Sequence, residues 1–452
     1  MLYLFASFAS EARGQTWTIE TLAPDTDYFD FAIDGLGTLH VLRANVSATP
    51  GPELVYAFNS GAGWQSDVVP KVPAPSLISL VADASGKPHI AFLDTTNTIH
   101  YGYRNAGTWV IEALQPATYP FNPGLGLDAS GEPHIAFISQ ERIRYAYKLG
   151  GAWTDEEVNG SWHDDQFARA AIAIDPSGDV RIGSWRIFAG AAFFTRGASS
   201  WTTEIFGQWG YMPWMELDGD GHAHFVYYGG SSGIPSYGTN ESGVWVTESV
   251  DVDGDLTDND IALDSSGDPY IAYSNTYAIR YEAPTFYYHT DVYFAYRSGG
   301  AWRREVVDSS HDYSGPYGTS TRIAFDGSNT PHVVYIDPKT GELRHGTRNW
   351  PTAVGGDALP EGFGIISVVP NPFNPSTTIS FELLFASRAR VEVFTSNGEH
   401  LATLLDEELA AGHGSVNWNG QNEHGVHVAS GVYFCRMTAA GGSQTRKLVL
   451  LK

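Results

Sequence analysis

Apolar and polar residues alternate in short runs along most of this chain, and clusters of Gly, Pro, Asp, Ser and Asn separate the runs. A period of two predicts half-buried strands. Trp109-Val-Ile-Glu-Ala-Leu114 is one such run. A loop follows, then Leu125-Gly-Leu-Asp128, the turn Asp128-Ala-Ser-Gly131, and Pro133-His-Ile-Ala-Phe-Ile138. Ile143-Arg-Tyr-Ala-Tyr147 is the next run, and Gly150-Gly-Ala-Trp153 leads into another copy. The unit therefore predicts four strands.

The unit recurs. Tryptophans stand at Trp17, Trp64, Trp109, Trp153, Trp201, Trp245, Trp302 and Trp350, and an Asp-x-x-Gly turn lies between successive ones. The turn aspartates are Asp34, Asp83, Asp128, Asp175, Asp218, Asp264 and Asp326, spaced by 49, 45, 47, 43, 46 and 62 residues. Seven four-stranded units of this length predict an all-β, seven-bladed β-propeller over 17–350, with one long insertion. Trp17-Thr-Ile-Glu-Thr-Leu22 has no preceding copy, and Pro351 interrupts the last copy before its fourth strand. Closure is therefore expected from the N-terminal strand, which would remove the open edges of the array.

The turn has a mechanical reading. Asp at its first position bonds its own backbone, and Gly at its fourth tolerates positive φ. The seventh copy has Asn329 instead, the next most tolerant residue type, which favours a structural role. Six residues after the turn aspartate stand His40, His89, His134, His224 and His332. Neighbouring blades lie too far apart for these to share one metal ion, so they read as polar packing between blades.

Composition narrows the function. Lys plus Arg is 26 against 51 Asp plus Glu, a formal net charge of −25. Such a surface repels phosphate backbones, and nucleic acid is not expected as a partner. One cysteine, Cys435, allows no intramolecular disulfide. No apolar run reaches the ~18–20 residues of a membrane span. Residues 1–16 open with an apolar stretch without Lys or Arg before it, which reads as a possible truncated secretory signal.

Beyond a Gly- and Pro-containing linker at 351–364, a second strand pattern fills 365–452 and predicts a small β-sandwich. Pro370-Asn-Pro-Phe-Asn-Pro-Ser-Thr-Thr378, Val416-Asn-Trp418-Asn-Gly420, Ala429-Ser-Gly-Val-Tyr-Phe434 and Lys447-Leu-Val-Leu-Leu-Lys452 follow in order. This region resembles the type IX secretion system type A C-terminal sorting domain, which is similar to the Ig-like domain of flagellar hook-capping proteins. The resemblance implies type IX secretion machinery as a partner and a secreted or outer-surface location.

Candidate chemistry falls on the rim that carries the loops leading into each innermost strand. Trp162, His163, Asp164 and Asp165, then Trp209, Tyr211 and Trp214, then His311, Asp312 and Tyr313 cluster there, and the insertion adds Tyr277, Tyr281, Phe286, Tyr287, Tyr288 and His289. Aromatic faces with carboxylates suit sugar rings; the same rings also serve to pack loops down. Asp30, Trp214, Asp260 and Arg322, with Glu216, are expected to line the central channel. Glu216, Asp260 or Asp165 would supply the acid or base of a glycoside-cleaving enzyme. Asp251, Asp253 and Asp255 have the oxygen density calcium favours, without the glycine and glutamate positions of an EF-hand. No cofactor is required by any motif, and the serine-hydrolase elbow, zinc-protease and phosphate-loop signatures are missing. The expectation is a monomeric binding protein for glycan or a surface protein, with a carbohydrate-active enzyme or a structural adhesion component as alternatives.

Overall fold

The structure is a computed structural model. It describes residues 17–348 and 363–451, apart from residues 47, 49–50, 71–75, 117–120, 141, 159–169, 176, 187–189, 198–199, 208–209, 230–232, 252–255, 283–284, 299–300, 315–319, 370, 372, 384–386, 396–399, 410–411 and 440–441. The described residues hold strands and turns and no helix. The chain divides into two compact units, one of Trp17–Arg297 with Trp302–Trp350, the other built mainly from Pro351–Lys452.

The larger unit contains seven antiparallel sheets of four strands. We number them by their first strands in the chain: Tyr28–Ile33, Ser76–Ala82, Phe121–Leu127, Ala171–Ile174, Gly210–Leu217, Leu256–Leu263 and Thr321–Phe325. In six sheets the four strands are consecutive in the chain. The seventh takes its fourth strand, Thr18–Ala23, from the N-terminal side, paired antiparallel with Leu343–Thr347. The 62-residue spacing is not a loose loop. It lengthens three strands of the sixth sheet to Pro269–Glu282, Thr285–Ser298 and Ala301–Tyr313, and the first two form one long hairpin.

Each sheet is tied together from its turn. Asp34 shows the pattern: its carbonyl accepts the Gly37 N–H at 2.9 Å, and its carboxylate accepts the Leu36 and Thr38 N–H groups at 2.9 and 2.8 Å. Gly86 takes φ +79° and Asn329 takes φ +59°, so both do the same backbone job in their turns.

The turn histidines correct the sequence expectation. They bond within their own sheet, not across to the next. His40 Nδ1 meets the Tyr56 hydroxyl at 2.6 Å while Nε2 faces Asp34 at 3.2 Å. His89 with Tyr101, His134 with Tyr145 and His224 with Tyr237 repeat the contact. The alternation explains this, since a strand residue and its cross-strand diagonal neighbour share a face. It is the tyrosine that reaches onward: Tyr56, Tyr101, Tyr145 and Tyr237 meet Trp109, Trp153, Trp201 and Trp302 of the following sheet edge to face, 5.2–5.5 Å between centroids.

A second repeated contact was not anticipated. Three residues after each outer-strand tryptophan stands an acid, and the indole N–H of the next sheet donates to it. Trp64 bonds Glu20, Trp153 bonds Glu112, Trp201 bonds Glu156, Trp245 bonds Glu204, Trp302 bonds Glu248 and Trp17 bonds Glu305, at 2.8–3.3 Å. At the first-to-second junction the acid is Asp67, one methylene shorter. It pairs with Arg104, and the buried Trp109 indole N–H finds no acceptor.

The smaller unit has a three-stranded sheet, Phe363–Val369, Thr377–Leu383 and Gly412–Trp418, and a four-stranded sheet, His400–Leu409, Ser387–Thr395, Gly431–Ala439 and Gly442–Leu450. Phe373, Ile379, Phe381, Val391, Val393, Trp418, Cys435, Met437, Leu448 and Leu450 form its buried core.

Candidate functional site

The first strands of all seven sheets border one cavity of about 510 Å³. Each first strand is a sheet edge, so some of its N–H groups need acceptors from outside its own ladder. Polar side chains on the adjacent first strand supply them. Asp30 accepts the Leu80 N–H at 2.7 Å, Ser79 accepts the Leu125 N–H at 3.3 Å, Asp258 accepts the Thr321 N–H at 3.0 Å and Asp260 accepts the Ile323 N–H at 2.9 Å. Between the third and fourth sheets small residues let the backbones come close instead. A side chain at Gly124 would collide with the Ala170 carbonyl, so the two backbones lie in close approach.

Arg322 is the cationic centre of the cavity wall. Its Nε donates to Asp30 at 2.9 Å, and its Nη1 donates to Asp258 and to the Thr321 carbonyl at 3.0 and 2.7 Å. Its guanidinium lies 4.2 Å from the centre of the Trp214 ring. Burial alone would lower its pKa, but Asp258, Asp30 and Asp260 outweigh that and raise it. The residue is thus a fixed charge that joins the seventh sheet to the first and sixth, with the Trp214 ring as its lid.

Two carboxyls around this charge are hard to ionise. Burial pushes Asp260 up to about 8, against the pull of Arg322. Burial pushes Glu216 up to about 7. Glu216 lines the cavity and is open to its solvent. The structure thus brings together Asp30, Trp214, Glu216, Asp260 and Arg322, as the sequence pattern expects. Asp30, Asp260 and Arg322 each also bond neighbouring backbone. Asp258, the second partner of Arg322, was missed because it lies six residues before its turn, two residues beyond the positions where the repeat shows its polar irregularities. Ser79 was missed because a lone serine carries no signal.

The rest of the expected rim is only partly visible. Trp162, His163, Asp164, Asp165 and Trp209 lie outside the described residues, as do the side chains of Tyr211, His311 and Asp312. Tyr313 is not open to a ligand. It is 5% exposed and its hydroxyl meets Thr290 at 2.6 Å, at the base of the long hairpin. Asp253 and Asp255 also lie outside the described residues, while the buried Asp251 accepts from Tyr273 at 2.7 Å and pairs with Arg304. Arg304 already supplies positive charge there, which fits poorly with calcium at Asp251. Among the described residues no group of three or more His, Cys, Asp or Glu is arranged to hold a metal. Likewise, no helix among them is long and apolar enough to cross a membrane.

Residues 371–443 match the family described as the FlgD Ig-like domain, in line with the sequence resemblance of the C-terminal region. No curated protein matches the chain. Similar solved structures include the Cps50 (Swd1) β-propeller domain of Myceliophteria thermophila, at 12% identity over 73% of this chain and 98% of that one, with TM-score 0.46. AofleA from Arthrobotrys oligospora is similar at 12% identity over 66% and 94%, with TM-score 0.43. The Aleuria aurantia lectin, in a variant in complex with Fucalpha1-6GlcNAc, is similar at 12% identity over 60% and 94%, with TM-score 0.37. Likenesses this distant say nothing about what this chain binds.

Proposed function

We propose that this chain is an exported binding protein. In this reading the seven sheets are the blades of a closed propeller, and its cavity mouth and rim take a glycan or a protein. The observation that supports it is the cavity itself. Its volume suits a small ligand or one side group of a larger one, and Trp214, Arg322 and Glu216 give it an aromatic face, a fixed cation and an acid. A glycan and surface-protein panel tests this with the Trp162→Ala and Trp214→Ala variants. Binding by the parent that falls about tenfold or more in either variant is expected. Full retention in both contradicts it.

A glycoside-cleaving enzyme is the second reading, and the raised carboxyls of Glu216 and Asp260 favour it. Asp260 already accepts a backbone N–H, so Glu216 is the freer candidate. Turnover of any glycan that disappears in Glu216→Gln would establish this reading over simple binding.

For the C-terminal Ig-like domain we propose the type IX sorting role, with the protein secreted or held at the outer surface. Fusing residues 365–452 to a periplasmic reporter in a type IX host is expected to bring the reporter to the surface. A reporter that stays in the periplasm contradicts the proposal.

A further inference from the structure

The long hairpin of the sixth sheet carries a surface that the cavity does not need. The ladder between Leu256–Leu263 and Pro269–Glu282 ends at Leu256 paired with Asn275, and the hairpin continues seven residues beyond it, to Glu282. On this extension Tyr277, Ile279, Tyr281 and Phe286 are 40%, 46%, 57% and 48% exposed. Exposed apolar side chains grouped together, unlike ones scattered singly, mark an interaction surface.

The rings form a strip. Tyr313, Tyr288, Phe286 and Tyr281 follow one another with centroids 6.1, 6.4 and 4.5 Å apart, tilted by 40–42°. The strip runs from the buried Tyr313 to the tip and is one ring wide. Tyr277 adds a further exposed ring against His289, 4.8 Å between centroids. Most of these rings are tyrosines, which offer an apolar face with a hydroxyl at its margin. A stable protein interface covers about 800 Å² on each partner, whereas this strip is one ring wide.

Strand addition is the obvious alternative, because the Thr276–Glu282 edge has no partner among the described residues. That edge is blunted by a bulge, because the register shifts between Ala278 and Arg280. Bulges are among the devices that keep edges from pairing. Nucleobases would also stack, but the phosphates that accompany them are repelled by a chain of net charge −25, and acidic polysaccharides are disfavoured in the same way.

We propose that the hairpin is a stacking site for a neutral saccharide chain, with Tyr281 and Phe286 as its main platform. The site stands apart from the cavity and does not rest on the cavity's being occupied. Affinity electrophoresis of the full chain through gels holding hydroxyethylcellulose, xyloglucan or laminarin tests it, with alginate as the acidic comparison. Retardation by at least one neutral polymer is expected, insensitive to salt and weakened about tenfold in the Tyr281→Ala/Phe286→Ala variant. Both side chains are exposed, so the variant's unfolding curve should match the parent's, and Tyr281→Phe should keep most of the binding. No retardation by any neutral polymer overturns the proposal, as does equal retardation of the double variant. Retardation lost in Trp214→Ala but kept in the double variant assigns binding to the cavity and overturns the hairpin site while sparing the cavity reading. Self-association of the parent that the double variant abolishes, with no polysaccharide binding, makes the strip a contact between copies and also overturns it.

Discussion

In four copies the turn aspartate, its histidine and a tyrosine form a short relay, and the turn histidines shape how stability responds to acid. Burial holds the pKa of His40, His89, His134 and His224 below the ordinary histidine value, and holds His332 at about 4. In the unfolded chain histidine titrates near 6.5. Between about pH 6.5 and 4 the unfolded state therefore binds protons that the folded state refuses, and stability falls as pH drops. The aspartates act lower. Burial alone would raise Asp83, but bonds from Ser85, Lys87 and His89 outweigh it and hold it at about 2. Their contribution is lost as pH falls from about 4 toward 2. The urea midpoint is expected to decline steadily below about pH 6.5; a midpoint flat down to about pH 5 contradicts the buried neutral relay. The turns were legible from Asp and Gly spacing because backbone conformation selects those residue types directly. The relay was not, because its tyrosine sits on the next strand, 16 residues from His40 and 12 from His89, and only cross-strand register brings them together.

Among the elements, the outer strands are joined by indole N–H to carboxylate bonds that pass from sheet to sheet. The Trp-x-x-acid spacing was present in the sequence, but its meaning is invisible without knowing that the donor and acceptor belong to different sheets. The same basic partner recurs at these junctions: Lys148 meets Glu112, Arg196 meets Glu156, Arg297 meets Glu248 and Arg348 meets Glu305. Asp67 keeps Arg104 but leaves the Trp109 indole unsatisfied. Replacing Asp67 with Glu restores the missing methylene. A gain of about 0.5–1.5 kcal/mol in unfolding free energy is expected, and Glu112→Ala is expected to lose a similar amount. A destabilised Asp67→Glu variant would show that the gap is not one of reach. The lengthened sixth sheet marks the limit of pattern reading. Its aromatic residues were visible as an insertion, but alternation in Tyr277, Ile279 and Tyr281 was needed to tell a hairpin from a loop.

For the whole molecule, the proposed ring depends on the segment that enters the seventh sheet from the opposite end of the chain. That segment carries several independent links. Trp17 bonds Glu305 and packs edge to face on Phe294, and Glu20 accepts from Trp64 and from His345, which in turn meets His332. Ala23 is buried with Phe29, Phe31, Val41 and Val334. Arg322 joins the same two ends on the cavity side through Asp30. Thermal unfolding of the full chain against one lacking residues 1–24 is the most direct measurement. A melting temperature lower by about 5–10 °C, with exposure of the Trp64 indole to quencher, is the expected result. Superimposable melting curves would contradict a ring sealed by the N-terminal strand, and with it the cavity on which the proposed binding rests.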